Sequence, residues 1–572
     1  MKNRLSLFIL IILFVHCNKR ADVKENLKLE GVLTLINPFA GDGIARPLAG
    51  KEIKVAYSPS DTNHFMYKIF TDNKGYFTLE GLERNKIYDL FYEDTISDIK
   101  YVAFAQRKPN VSTTTLNDTI WMQATYSKLL EKEETAKKDS IKVSAYGAKA
   151  DGTTDDRLSI QSAIDAAAVK GGTVMLDKPG TFSIGITTEG GFARGLTMAA
   201  NVSLLIPPGT TLALKKNVVV DNAPVSVVYV PAKATNVYIG WLGKGGKIDG
   251  NTSNQPGWTS GYGQSAGNFL ISADAGFDGI VIEGITLTNS FSNSINLGGT
   301  HSYGNSRNAK LLNLYCENFG EGIQIIACDS VICENITHVM NETVVEGDAL
   351  ELAFCRYFNV TGCSTTTSTG LTIKKGGSGI DCYSSRYGSV SNFSIQGTVY
   401  GMQIETDFGD PANQPDNIYV SNGMIKGVNY AGFVLSGGRI SVADVQILDC
   451  VFMGAVLSNA GTLAAYRFTD VVFSGNCQII VQDNVSVTAR HLSINSTAAL
   501  SSLSIGNCVL DIVGLTVTRT ITNAIIIVVI GTTPVGRVTD INAPANMIPI
   551  IPNDDGPPLN LSSFTVQVNA PI

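Results

Sequence analysis

Charge is scarce in this chain: Asp, Glu, Lys and Arg together supply 16% of 572 residues, and histidine occurs only five times. The net charge is −7, with neither a basic stripe nor a run of acids, which argues against a nucleic-acid partner. No CxxC pair stands at metal-ligand spacing, so a structural zinc site is not expected. Beyond the first twenty residues no apolar run is long enough to cross a bilayer; Ala524–Ile530 is very apolar but has the length of a buried strand. Glycine, by contrast, occurs 56 times and apolar residues make up 44%. That combination suits tightly stacked coils with many turns, in a chain long enough for more than one core.

One phrase returns four times between Phe319 and Thr406. Its copies are Gly320-Glu321-Gly322-Ile323-Gln324-Ile325, Gly347-Asp348-Ala349-Leu350-Glu351-Leu352, Gly377-Ser378-Gly379-Ile380-Asp381-Cys382 and Val399-Tyr400-Gly401-Met402-Gln403-Ile404. A recurrence at roughly 22 to 30 residues is the period of a solenoid in which each repeat is one coil. Apolar and polar residues alternate within each phrase, predicting strands with one face buried. In register, equivalent positions of successive coils lie about 4.8 Å apart. One column then reads Asn293, Glu321, Asp348, Ser378, Tyr400, and the next Asn296, Gln324, Glu351, Asp381, Gln403. Four carboxylates gather on two neighbouring columns of one sheet, and this cluster is the candidate site.

The first twenty residues read as an export signal: Lys2 and Arg4, the run Leu5 to Val15, then Cys17. They resemble a bacterial lipoprotein signal, departing from it at Phe14 and His16. The resemblance implies a lipid on Cys17, hence a membrane-anchored protein at the cell surface or in the periplasm. Residues 27–124 alternate strand and turn patterns, as in Asp72-Asn73-Lys74-Gly75-Tyr76-Phe77, and predict a small β-sandwich. This stretch resembles the carboxypeptidase regulatory-like domains that serve as spacers on exported proteins. Residues 125–140 turn charged and read as a linker. The other cysteines near strand or turn positions, Cys316, Cys333, Cys363, Cys382 and Cys450, read as small core hydrophobes.

A second domain opens at Val143-Ser144-Ala145-Tyr146-Gly147-Ala148, followed by Asp151-Gly152 and Thr154-Asp155-Asp156. Asp155 or Asp156 is placed to cap a helix from about Leu158 to Val169, with Ile160, Ala163, Ile164 and Ala167 on one face. This opening resembles the rhamnogalacturonase and epimerase-like pectate lyase superfamily. The resemblance implies an all-β fold, a right-handed parallel β-helix whose first coil is plugged by a capping helix. An open stack would expose its apolar interior, and an amphipathic helix covers it. Gly284, Asn313, Asn335, Gly362 and Asn392, each before an apolar residue, mark sharp coil corners. The β-helix is expected over 141–485; 486–572 reads as last coils and an irregular cap, with Pro and Asn frequent from Pro544.

The four phrases resemble the active-site coils of the polygalacturonase family, pectin hydrolases with this β-helix. Glu321 and Asp348 fall where that family carries acids, Ser378 where it has a histidine, and Gln403 and Glu405 where it has arginine and lysine. Upstream, Lys247-Ile248-Asp249-Gly250-Asn251 with Trp258 also matches a family coil. In the family the two cations neutralise a galacturonate carboxylate; a glutamine and a glutamate cannot. The substrate expected here is therefore a neutral or amino-substituted polysaccharide.

Glycoside hydrolysis needs one carboxyl protonated as acid and another ionised as base or nucleophile. Crowding raises the pKa of at least one member of such a cluster. Asp348 is the expected acid, with Glu321, Asp381 or Glu351 as base, and Gln324, Gln403, Glu405, Ser378 and Lys375 are expected to bind substrate. No cofactor is expected; calcium is the cation an oxygen-rich patch prefers. His301 in a loop, and Lys374, Lys375 and Arg386 beside the third coil, are weaker candidates. Two rival readings stay open: a polysaccharide lyase, which would need a base and carboxylate neutralisation, and a non-catalytic glycan-binding or adhesive β-helix, forming homotrimers as many tailspikes do. The Asp-Pro-His triplet of uronate epimerases is absent, Asp410-Pro411 being followed by Ala412. Tyr303, Tyr383, Tyr387, Tyr400 and Phe408 are candidates for an aromatic row beside the cleft.

Overall fold

The computed structural model describes residues 28–126 and 140–568, apart from 37–44, 58–66, 81, 83–87, 97–98, 108–119, 190–191, 220–223, 257–267, 300–303, 342–346, 371–376, 407–412, 460–463, 476–477, 497–500, 518–524, 530–533, 542–547 and 553–563. Cys17 lies outside the described residues, as do Trp258, His301, Tyr303, Lys374, Lys375, Phe408 and Asp410. The chain divides into two compact units, Met1–Glu131 and Lys132–Ile572, the boundary falling in the charged stretch read as a linker.

Among the described residues of the first unit seven strands follow one hydrogen-bonded path, and an eighth, Tyr76–Glu80, pairs with Lys28–Ile36 beside it. Lys28–Ile36 pairs antiparallel with Tyr76–Glu80 and parallel with Ile120–Tyr126. Leu33, Ile53, Val55 and Leu90 are fully buried in it. At the turn before Tyr76, Asp72 accepts the backbone N–H groups of Lys74 (2.7 Å) and Tyr76 (2.9 Å), which fixes the turn that leads into this strand.

The second unit is a parallel β-helix, with forty strands among the described residues and one antiparallel pairing, Thr187–Glu189 with Phe192–Thr197. A helix, Arg157–Ala168, buries Ile160, Ala163, Ile164 and Ala167 against the first coils, the same four residues that its periodicity selects. The two residues expected to cap it divide the work. Asp156 precedes the helix but its carboxylate accepts the N–H groups of Lys149 (2.6 Å) and Ala150 (3.1 Å) in the upstream turn. Asp155 instead accepts the N–H of Arg157 (3.1 Å), the first helical residue.

Each coil contributes strands to three sheets. Cys328–Glu334, Thr337–Met340 and Leu350–Ala353 form one coil, and pair in parallel with Arg356–Thr361, Ser364–Thr367 and Ser378–Tyr383 of the next. Inward residues of the third sheet, Ile323, Ile325, Leu350, Leu352, Ile380, Cys382, Met402 and Ile404, are at most 1% exposed. Each apolar side chain so buried stabilises the stack by roughly 1.5–3 kcal/mol. The described cysteines are buried, consistent with packing as small hydrophobes.

The predicted corner residues Gly284, Asn313, Asn335, Gly362 and Asn392 all have φ between 52° and 67°. A second corner forms a side-chain ladder: Asn289 donates to Asp249 (2.9 Å), Asn318 to Asn289, and Asn341 to Asn318 (3.0 Å). Beyond Ser486 the strands continue to Phe564–Val568, which pairs in parallel with Val535–Ile541. Coils therefore run further than the expected irregular cap from Pro544, because Phe564-Thr565-Val566-Gln567-Val568 keeps the alternation of a strand.

Candidate active site

The site lies on the outer face of the third sheet. There Asn296, Gln324, Glu351, Asp381 and Gln403 are successive register partners, giving the second column as the sequence spells it. The same column reaches Ser272 and Tyr229 upstream and Val434 downstream. In the first column Asn293 pairs with Glu321 and Ser378 with Tyr400. Asp348 sits just ahead of its strand, Leu350–Ala353. Two bonds hold it between its neighbours: its carbonyl accepts Gly322 N–H (2.8 Å), and its Oδ1 accepts Ser378 N–H.

Glycines make room for the acids. A Cβ on Gly347 would stand 2.1 Å from Glu321 Cγ, and one on Gly377 would stand 2.0 Å from Asp348 Oδ1. Each acid thus rests on the bare backbone of the next coil, which is why the phrase begins with glycine in the second and third copies.

The polar side chains form short relays along the columns. Asn293 donates to Glu321 Oε2 (3.0 Å). Asn296 donates to Gln324 Oε1 (2.5 Å), and Gln324 Nε2 donates to Glu351 Oε2 (2.7 Å). Ser378 Oγ donates to Gln403 Oε1, and Gln403 Nε2 donates to Glu405 Oε2 (3.2 Å). Glu321, Asp348, Glu351 and Glu405 stay partly accessible, whereas Asp381 is 6% exposed and its Oδ1 has no hydrogen-bond partner.

Burial pushes the Glu351 carboxyl up to about 8; Asp348, Glu321 and Glu405 push in the same direction, and only the bond from Gln324 opposes them. Asp381 is raised well above the carboxylate range by burial and by Asp348, Glu351 and Glu405. Burial also raises Asp348, against the hydrogen bonds from Ser378. Glu405 is raised by burial and by Asp348. At neutral pH such a cluster retains protons, and the protonated, partly accessible Glu351 can give one up at its free Oε1.

Ser378 differs from its expected role. It is fully buried, so its hydroxyl orients Gln403 and does not meet substrate. Arg386 lies on the first sheet, where its Nε donates to the Gln414 carbonyl (3.0 Å). Two of the proposed aromatics are also spent on packing: Tyr383 meets Phe354 edge-on (5.9 Å), and Tyr387 stacks on Tyr357 (5.5 Å). Tyr400 does stand on the site's sheet, and beside it are Tyr430 and Phe452, which the sequence reading passed over. Their signal was an aromatic at or just before the repeat phrase in three successive coils. Among the described residues no three His, Cys, Asp or Glu side chains are arranged to hold a metal ion.

No family model and no curated protein matches the chain. It is similar to the A-module of a mannuronan C-5 epimerase from Azotobacter vinelandii, with 18% identity over 76% of this chain and 100% of that one and a TM-score of 0.40. It is similar to the catalytic domain of a GH87 alpha-1,3-glucanase solved with nigerose, with 13% identity over 87% of this chain and 88% of that one and a TM-score of 0.45. The Streptococcus pneumoniae surface protein and adhesin PfbA aligns with 15% identity over 75% of this chain and all of that one, at a TM-score of 0.32. At such identities and scores these likenesses assign no activity.

Proposed function

We propose that this protein is a glycoside hydrolase acting on a neutral polysaccharide by carboxylate acid and base catalysis. The observation that carries the reading is Glu351: a partly accessible carboxyl on the outer face of the sheet, held protonated at neutral pH, with further carboxylates on the adjacent column. Its Oε2 is occupied by the Gln324 amide, which leaves Oε1 to carry the proton toward a glycosidic oxygen. As the C–O bond breaks, that proton goes to the departing sugar. Glu321, oriented by Asn293 on the neighbouring coil, takes the part of base or nucleophile. Burial, and the like charge of Asp348, Glu321 and Glu405, keep the proton on Glu351. This exchanges the roles expected from the sequence, where Asp348 was the acid.

Among the described residues the charged groups that act on Glu351, Asp381 and Glu405 are other carboxyls, which supports a substrate without uronate groups. With the export signal and Cys17 read from the sequence, the activity would be located at a bacterial surface or in the periplasm. The test is reducing-end release from a panel of neutral and acidic glycans by the wild type, Glu351→Gln, Glu321→Gln and Asp348→Asn. Cleavage of a neutral glycan that falls by about a hundredfold or more in Glu351→Gln supports the reading. Binding without cleavage would replace it with the adhesive one, and preferential cleavage of polygalacturonate would refute the neutral substrate.

A further inference from the structure

Past the carboxylates the same face becomes apolar. Tyr400 is in register with Ser378 on one side and Ala431 on the other, and Ala431 with Met453. Tyr430 and Phe452 immediately precede those two partners. The rings make a row, Tyr400 to Tyr430 at 5.3 Å between centroids and Tyr430 to Phe452 at 5.9 Å. Tyr430 is 39% exposed, Phe452 58% and the adjacent Val451 45%. Tyr400 is half-buried against the core, but a folded coil gains nothing by holding Tyr430 and Phe452 in water at consecutive corners, and such strips mark binding surfaces.

We propose that Tyr400, Tyr430 and Phe452 form a docking strip for a neutral glycan chain, namely the part of the substrate that extends beyond the carboxylates toward the C-terminal coils. The proposal rests on the hydrolase reading for its account of cleavage, though the strip's binding can be measured separately. Three observations favour this occupant. The strip continues the carboxylate face through direct register partners, so one chain can occupy both. Its rings recur once per coil, about 4.8 Å apart along the axis, so a polymer lying along the solenoid meets successive rings with successive sugars. Its segments Val428–Ala431 and Cys450–Met453 carry no charge, offering apolar sugar faces a stacking surface and uronates no partner.

The test compares the wild type with the double variant Tyr430→Ala/Phe452→Ala on the neutral polysaccharide that is cut and on oligosaccharides of that polymer of increasing length. The expected result is a KM penalty that grows with chain length and reaches tenfold or more on the polymer. Equal penalties at every length, or none, would overturn the proposal. Both side chains are exposed, so an unchanged melting curve is expected to show that the double variant folds. Polymer binding is measured in parallel in a Glu351→Gln background, where cleavage is absent. If no glycan is cut, the hydrolase reading fails, but polymer binding that the double variant loses would still support the strip. If glycan binding is unchanged and a wild-type oligomer instead dissociates in the double variant, the row is a self-association face and the proposal is wrong.

Discussion

Replacing Glu351 with glutamine removes a proton that the folded protein holds and the unfolded chain does not. The carboxyl moves from a usual 4.5 to about 8 on folding. Between those values the native state binds more protons than the unfolded one, so the wild type loses stability as pH rises through this window and reaches its lower plateau above about pH 8. At about 1.36 kcal/mol per tenfold change the displacement corresponds to roughly 5 kcal/mol. Solvent contact of the partly accessible side chain scales this to about 2 kcal/mol. Glutamine keeps the shape, accepts the Gln324 amide through its own oxygen, and never ionises. Equilibrium urea unfolding at pH 5, 7 and 9 should therefore show Glu351→Gln gaining about 2 kcal/mol on the wild type by pH 9 relative to pH 5. Parallel stability curves, or a wild type that gains stability over that range, would mean that no proton is held at Glu351 and would refute the reasoning.

Glu405→Gln removes one of the charges that raise Glu351. Because an acid catalyst works only while protonated, the basic limb of the pH–activity profile should move to lower pH in this variant; a limb that stays in place would contradict the coupling. Gly377→Ala would force a Cβ against Asp348 Oδ1, and about 1–3 kcal/mol of stability together with most activity should be lost, whereas Gly299→Ala, which meets nothing within 4 Å, should cost neither. Asn318→Gly keeps the left-handed corner but removes a rung of the asparagine ladder, taking a donor from Asn289 Oδ1 and an acceptor from Asn341 Nδ2; urea unfolding should register a loss of about 1–2 kcal/mol.

The solenoid and the second column could be read from the sequence because both depend on period and alternation, which strand pairing then has to respect. Ile323, Ile325, Leu350 and Leu352 face inward, so Gln324 and Glu351 must face out and stack. What the sequence could not supply was depth. Asp381 and Glu351 occupy equivalent positions in neighbouring coils, yet one is almost closed off and the other keeps solvent contact, and this decides which can deliver a proton. Ser378 stands where the sequence resemblance would put a histidine, but it faces Gln403 and not solvent. The corner asparagines were legible as left-handed residues, but the Asp249–Asn289–Asn318–Asn341 ladder required knowing which corners stack. Tyr387 is one of the aromatics that the sequence offers for the cleft. The left-handed residues Ser384 and Tyr387 instead carry the chain round the corner onto the first sheet, where it packs on Tyr357.

The pH dependence of kcat/KM on a neutral polysaccharide, compared between the wild type and Glu351→Gln, tests the central claim most directly. The predicted profile has a basic limb near pH 8 in the wild type, where Glu351 gives up its proton, and activity at least about a hundredfold lower at every pH in the variant. A wild-type profile that falls away above pH 5, or a variant that cleaves as fast as the wild type, would show that Glu351 is not the acid and that the carboxylate face does not work as described.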